Sequence, residues 1–79
     1  MNEISMIGLD LAKNVFQVHG VDASGKVVLQ RQLRRGAVER FFAMVSPCRV
    51  GIEGCGSAHH WARVIDRYGH DVRLIRRPM

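Results

Sequence analysis

Cysteine is scarce in this chain: Cys48 and Cys55 are the only two, and they form no C-x-x-C pair. Two cysteines build no disulfide framework, and the four histidines stand at no zinc-ligand spacing with them. Both are read as ordinary reduced thiols. No apolar run approaches the ~20 residues of a membrane span, and the opening "MNEIS" has neither the basic nor the apolar region of a signal peptide. The expectation is a soluble cytoplasmic protein without a membrane partner. G-x-x-x-x-G-K and G-x-G-x-x-G phosphate loops are absent, as are internal repeats, low-complexity runs and linkers. "GCGSAH" also lacks the G-x-S-x-G spacing of a nucleophile elbow, so Ser57 beside His59 and His60 reads as a helix cap rather than a nucleophile.

What is present is apolar enough to fold. Hydrophobic residues make up 47% of the 79 positions, which argues against disorder and allows at most one small domain, complete or partial. The net charge of +5 is unevenly placed. Residues 1–30 balance Lys13 and Lys26 against Glu3, Asp10 and Asp22, whereas the remainder sets ten arginines against Glu39, Glu53, Asp66 and Asp71. Arginine matches phosphate in a two-pronged fashion, so this excess fits a nucleic-acid partner as well as it fits a solvated basic surface.

Residues 4–10, 14–21 and 26–33 alternate as strands, with Ile7, Leu9 and Leu11 on one face, and "DASG" at 22–25 is a hairpin turn placing Gly25 where a positive φ is needed. The period then lengthens. Val38, Phe41, Phe42 and Val45 form one helical face that Pro47 closes, and "CRVGIE" at 48–53 reads as a buried strand ending in an acid. A second helix follows Ser57, with Ala58, Trp61, Ala62, Ile65 and Tyr68 as its buried stripe and Gly69 as its stop. Residues 71–75 make a last strand. The predicted fold is α/β with a mixed sheet in the order β-β-β-α-β-α-β, its second half pairing in parallel through right-handed crossovers.

Asp10 and Glu53 occupy equivalent places, each at the carboxyl end of an apolar strand. An ionised carboxylate inside an apolar run needs a partner: a base, a backbone amide or a metal. If the first and fourth strands are neighbours, the two acids converge where open α/β sheets bind ligands, and a divalent cation relieves their repulsion. Mg²⁺ suits such oxygens, and a pair of such ions about 4 Å apart assists phosphodiester displacement. Two carboxylates alone would hold it weakly. Asp10 as a cap before "LAKN", and Glu53 paired with an arginine, remain the alternatives.

"IGLDLAKNVFQVHGVDASGKVV", "GIEGCGSAHHWAR" and "HDVRLI" together resemble the N-terminal domain of the insertion-sequence one-ten type DEDD transposases, from about residue 4 to the end. The resemblance implies an RNase H-like (RuvC-like) fold and four acids, Asp, Glu, Asp, Asp, that bind Mg²⁺ and cut and rejoin DNA. Asp10 matches the first acid and Glu53 the second, as metal ligands and catalytic residues. The later Asp-x-x-Asp pair and the family's serine-containing domain have no counterpart in 1–79. The expectation is therefore a partial domain, truncated relative to the full one, with weak or no Mg²⁺ binding and no activity alone. DNA is the implied partner, with a guide RNA in some members, and a homo-oligomer is expected. A DNA- or RNA-binding or oligomerising fragment without catalysis is the alternative. Actin-like sugar kinases also open with a strand, an acid and a hairpin, but Leu11, Ala12 and Lys13 stand where their phosphate loop needs glycine or a small hydroxyl residue.

Overall fold

The computed structural model describes residues 4–11, 15–53 and 56–75. Its elements are β1 (Met6–Leu11), β2 (Val15–Val21), β3 (Val27–Arg34), a 3-10 turn (Arg35–Ala37), α1 (Val38–Met44), β4 (Arg49–Glu53), α2 (Ala58–Asp66) and β5 (Asp71–Ile75). They build a mixed α/β fold around one five-stranded sheet ordered β3-β2-β1-β4-β5. β1 to β3 run antiparallel as the predicted meander, and β1 pairs with β4, and β4 with β5, in parallel.

The register sorts the two faces. Ile7 pairs with Val50 and Leu9 with Ile52, while Leu9 also faces Val18 and Phe16 faces Leu33. Paired residues project to the same side. All of these are buried, in one cluster with Val38, Phe41 and Phe42 of α1 and Ala58, Trp61 and Ile65 of α2. Both helices therefore cover the same face of the sheet, and Trp61 meets Phe16 edge-on at 5.1 Å across that layer. Fully burying each such side chain stabilises the fold by roughly 1.5–3 kcal/mol. The opposite face is open, with Asp10, His19, Gln30, Gln32 and Arg34 exposed along it.

The β2–β3 hairpin closes through Asp22. Its Oδ1 accepts from the Ser24 amide (2.9 Å), the Ser24 hydroxyl (2.7 Å) and the Lys26 amide (3.0 Å), and Gly25 takes the expected positive φ of 87°. The Ser24 hydroxyl, then the backbone amides, hold the Asp22 carboxyl below its ordinary value of 3.8. A depressed folded value means that this stabilisation is full above the unfolded value and fades as pH falls through the folded one. Asp22→Asn should therefore melt below wild type at pH 6, with the gap closing in scans taken below about pH 3.8. A gap unchanged at low pH would rule out the carboxylate as its source.

Two expectations need correction. Tyr68 is not in the buried stripe: it is 37% exposed, and its hydroxyl donates to Glu39 Oε1 at 3.0 Å. After Asp66 the chain tightens, Tyr68 N–H bonding Ile65 O and Gly69 N–H bonding Asp66 O, both at 3.0 Å, which rotates Tyr68 off the stripe. α1 ends at Met44, short of Pro47, because Val45 already turns extended (φ −83°, ψ 135°). Leu11 shares the core face with Ile7 and Leu9 as expected, half-buried against the core cluster at the end of β1. Ser57 does hold the N-cap place of α2, but through its carbonyl, which accepts from Trp61 N–H at 3.2 Å; its hydroxyl makes no capping bond.

His70 is the one buried polar side chain in the described core. Its Nε2–H donates to Phe42 O at 2.8 Å, and its Nδ1 accepts from Cys48 N–H at 3.2 Å, so the two backbone partners fix a neutral tautomer. One imidazole thereby ties the end of α1, the start of β4 and the entry to β5. Beside it, burial pushes the Cys48 thiol up, which agrees with an ordinary reduced cysteine. Cys55, and residues 12–14 of the "LAKN" segment that Asp10 was read as capping, lie outside the described residues.

Candidate functional site

The parallel pairing of β1 with β4 gives Asp10 and Glu53 a common location. Leu9 pairs with Ile52, the last pair in that register, and Asp10 and Glu53 are the next residue on each strand. The pleat turns Leu9 and Ile52 into the core and the following residues to the open face. Asp10 is exposed and Glu53 half-buried, and both line one hollow of about 220 Å³ with Gly8, Leu9, His19, Gly51 and Ile75.

Exposure of Asp10 alters the argument for its partner. Alternation carries its carboxylate out of the apolar layer, so no desolvation penalty demands a neutralising group. What points to a ligand is the placement of two carboxylates at adjacent strand ends over a shared hollow.

The floor of that hollow is backbone. Gly8 and Gly51 pair across β1 and β4. A Cβ at Gly8 would meet only His19 O, at 3.9 Å, whereas one at Gly51 would sit 2.6 Å from the Ile75 Cδ1 that lies over it. His19 reaches the site because it pairs with Gly8. His59 and His60, on the first turn of α2, are exposed and do not line the hollow.

Two carboxylates offer the hard oxygen donors that Mg²⁺ accepts, and Mg²⁺ is commonly held by one or two carboxylates, the remaining positions going to water and phosphate. Among the described residues no group of three or more His, Cys, Asp or Glu side chains is placed to hold a metal ion. Asp10 and Glu53 thus fit the cation as a partial donor set.

The arginines divide by environment. Arg49 and Arg73 both pair with Asp71, at 3.5 and 3.3 Å, on the β4–β5 side. Arg31 lies 5.9 Å from the Phe41 ring centroid on the helix-covered side, and Arg34 is exposed on the open face. No helix among the described residues is long and apolar enough to cross a membrane.

A mixed-sheet α/β fold with two acids at neighbouring strand ends has named relatives. The chain is 60% identical over 72 residues to the Pseudomonas aeruginosa protein named "Probable family 20 transposase", a match covering 91% of this chain and 21% of that protein. It is 39% identical over 75 residues to the transposase for insertion sequence element IS1328 of Yersinia enterocolitica, covering 95% of this chain and 22% of that one. The transposase for insertion sequence element IS1111A of Coxiella burnetii is 37% identical over 78 residues, again 95% of this chain and 21% of the relative. Over most of its length the chain is similar to proteins named transposases, and it spans about a fifth of the length of these curated relatives. No protein-family model matches it.

Proposed function

We propose that this chain forms part of the catalytic domain of a DEDD-type, RNase H-like transposase, in which Asp10 and Glu53 hold Mg²⁺ for the cutting and rejoining of mobile DNA. The observation that carries the reading is the β1–β4 register, which sets both acids on one face at adjacent strand ends over the same hollow. The transposase relatives supply the substrate, DNA, and the strand order supports the fold assignment.

When bound, the cation would activate an oxygen nucleophile and stabilise charge on the phosphodiester. The chain's own residues do the rest. Asp10 and Glu53 contribute the carboxylates, Gly8 leaves open space between them and the His19 main chain, and the β1–β4 pairing fixes the spacing. Nothing in this role requires Ser57.

Two carboxylates are a weak site, so the chain alone is expected to cut nothing. Incubating purified 1–79 with branched DNA and Mg²⁺ should return the substrate intact. Mg²⁺-dependent cleavage that disappears in Asp10→Ala would show instead that the chain is a sufficient catalyst. A guide RNA, the cytoplasm as location and self-association remain parts of the family expectation that extend this reading.

A further inference from the structure

We infer that the open face of β2 and β3 is a contact surface for the sugar–phosphate backbone of a DNA strand leading to the Asp10–Glu53 hollow. The register builds it in two transverse rows. Asp10 pairs with Gln17 and Gln17 with Gln32; Gly8 pairs with His19 and His19 with Gln30. Arg34, paired with Val15, extends the same side. Gln30, Gln32, His19 and Arg34 are exposed and Gln17 is half-buried, so the face presents three amides, an imidazole and a guanidinium.

Charge and chemistry select the occupant. β2 and β3 contain no acid, whereas on the β4–β5 side of the sheet Arg49 and Arg73 both share the single carboxylate of Asp71. Glutamine and arginine side chains are regular donors to phosphate oxygens. A protein partner would call for an apolar centre ringed by polar groups, and this block is polar at its centre. The two rows run directly into Asp10 and Gly8, so a strand lying along them reaches the hollow. The choice of DNA rests on the transposase reading; the surface itself does not depend on a bound metal.

The test compares two changes of equal charge. Gln30→Glu/Gln32→Glu and Arg63→Ala/Arg67→Ala each lower the net charge by two, the first on the open face and the second on exposed positions of α2 and the turn after it. Binding of a fluorescein-labelled single-stranded DNA is followed by anisotropy in EDTA, with thermal melts confirming that both variants fold. The β3 pair should weaken binding about tenfold or more and the α2 pair less than about threefold. Equal losses, a larger loss from the α2 pair, or no binding by wild type would overturn the proposal. So would binding more than about tenfold tighter to RNA of the same sequence, or self-association that the β3 pair abolishes while DNA binding stays unchanged. Because EDTA removes divalent cations, failure here leaves the metal reading standing, and failure of metal binding leaves this surface standing.

Discussion

Grafted in place of the matching segment of the Pseudomonas aeruginosa relative, this chain should sustain transposition, and Asp10→Asn or Glu53→Gln in the graft should lower its frequency roughly a thousandfold or more. The graft is reasonable at 60% identity over 72 residues. Both substitutions keep size and shape while removing one of the two charges that would hold the cation. Neither residue belongs to the core cluster, so the sheet that positions them should survive. Equal protein levels and unchanged melting of the corresponding 1–79 variants would separate loss of chemistry from loss of fold. Transposition persisting near the wild-type level in either variant would remove these acids from the mechanism.

His70→Leu should cost about 2–4 kcal/mol of folding stability, read by urea denaturation, although leucine fills much of the same volume. The loss comes from two backbone groups left without a partner: Phe42 O, which is buried, and Cys48 N–H, which is partly so. The edge-on contact of the imidazole with Phe42 at 5.4 Å goes as well. Folded domains hold only about 0.05–0.15 kcal/mol per residue, so for a chain this short the change takes a large part of the total. A cost below about 1 kcal/mol would mean that water satisfies both groups in the mutant.

His70 also marks where reading the sequence stops. Its partners are main-chain atoms 28 and 22 positions away, and main-chain atoms carry no residue-specific signal. Tyr68 failed for a related reason. Helical spacing predicts burial only while the helix lasts, and the turn after Asp66 is set by the left-handed Gly69 (φ 90°) rather than by the stripe.

The strand content was legible because Ile7, Leu9, Phe16 and Val18 alternate against polar neighbours, and the Asp22–Gly25 turn announced the first hairpin. α1 was legible from Val38, Phe41 and Phe42. The two acids could be picked out as strand-ending carboxylates, but their proximity depended on whether β1 and β4 are neighbours, a long-range pairing that local pattern does not specify. His19 as a lining residue follows only from its pairing with Gly8, and the glycine floor only from the Gly8–Gly51 pair. The desolvation argument for Asp10 failed because alternation, followed one residue further, turns it outward.

The proposal of a shared metal site has Asp10 and Glu53 acting together on one divalent cation. Paramagnetic line broadening by substoichiometric Mn²⁺ in the amide spectrum of the 79-residue chain tests it most directly. Broadening should be confined to residues around Gly8–Asp10, His19 and Gly51–Glu53, competed by Mg²⁺ and abolished in both Asp10→Asn and Glu53→Gln. Broadening centred elsewhere, or surviving in either variant, would contradict it.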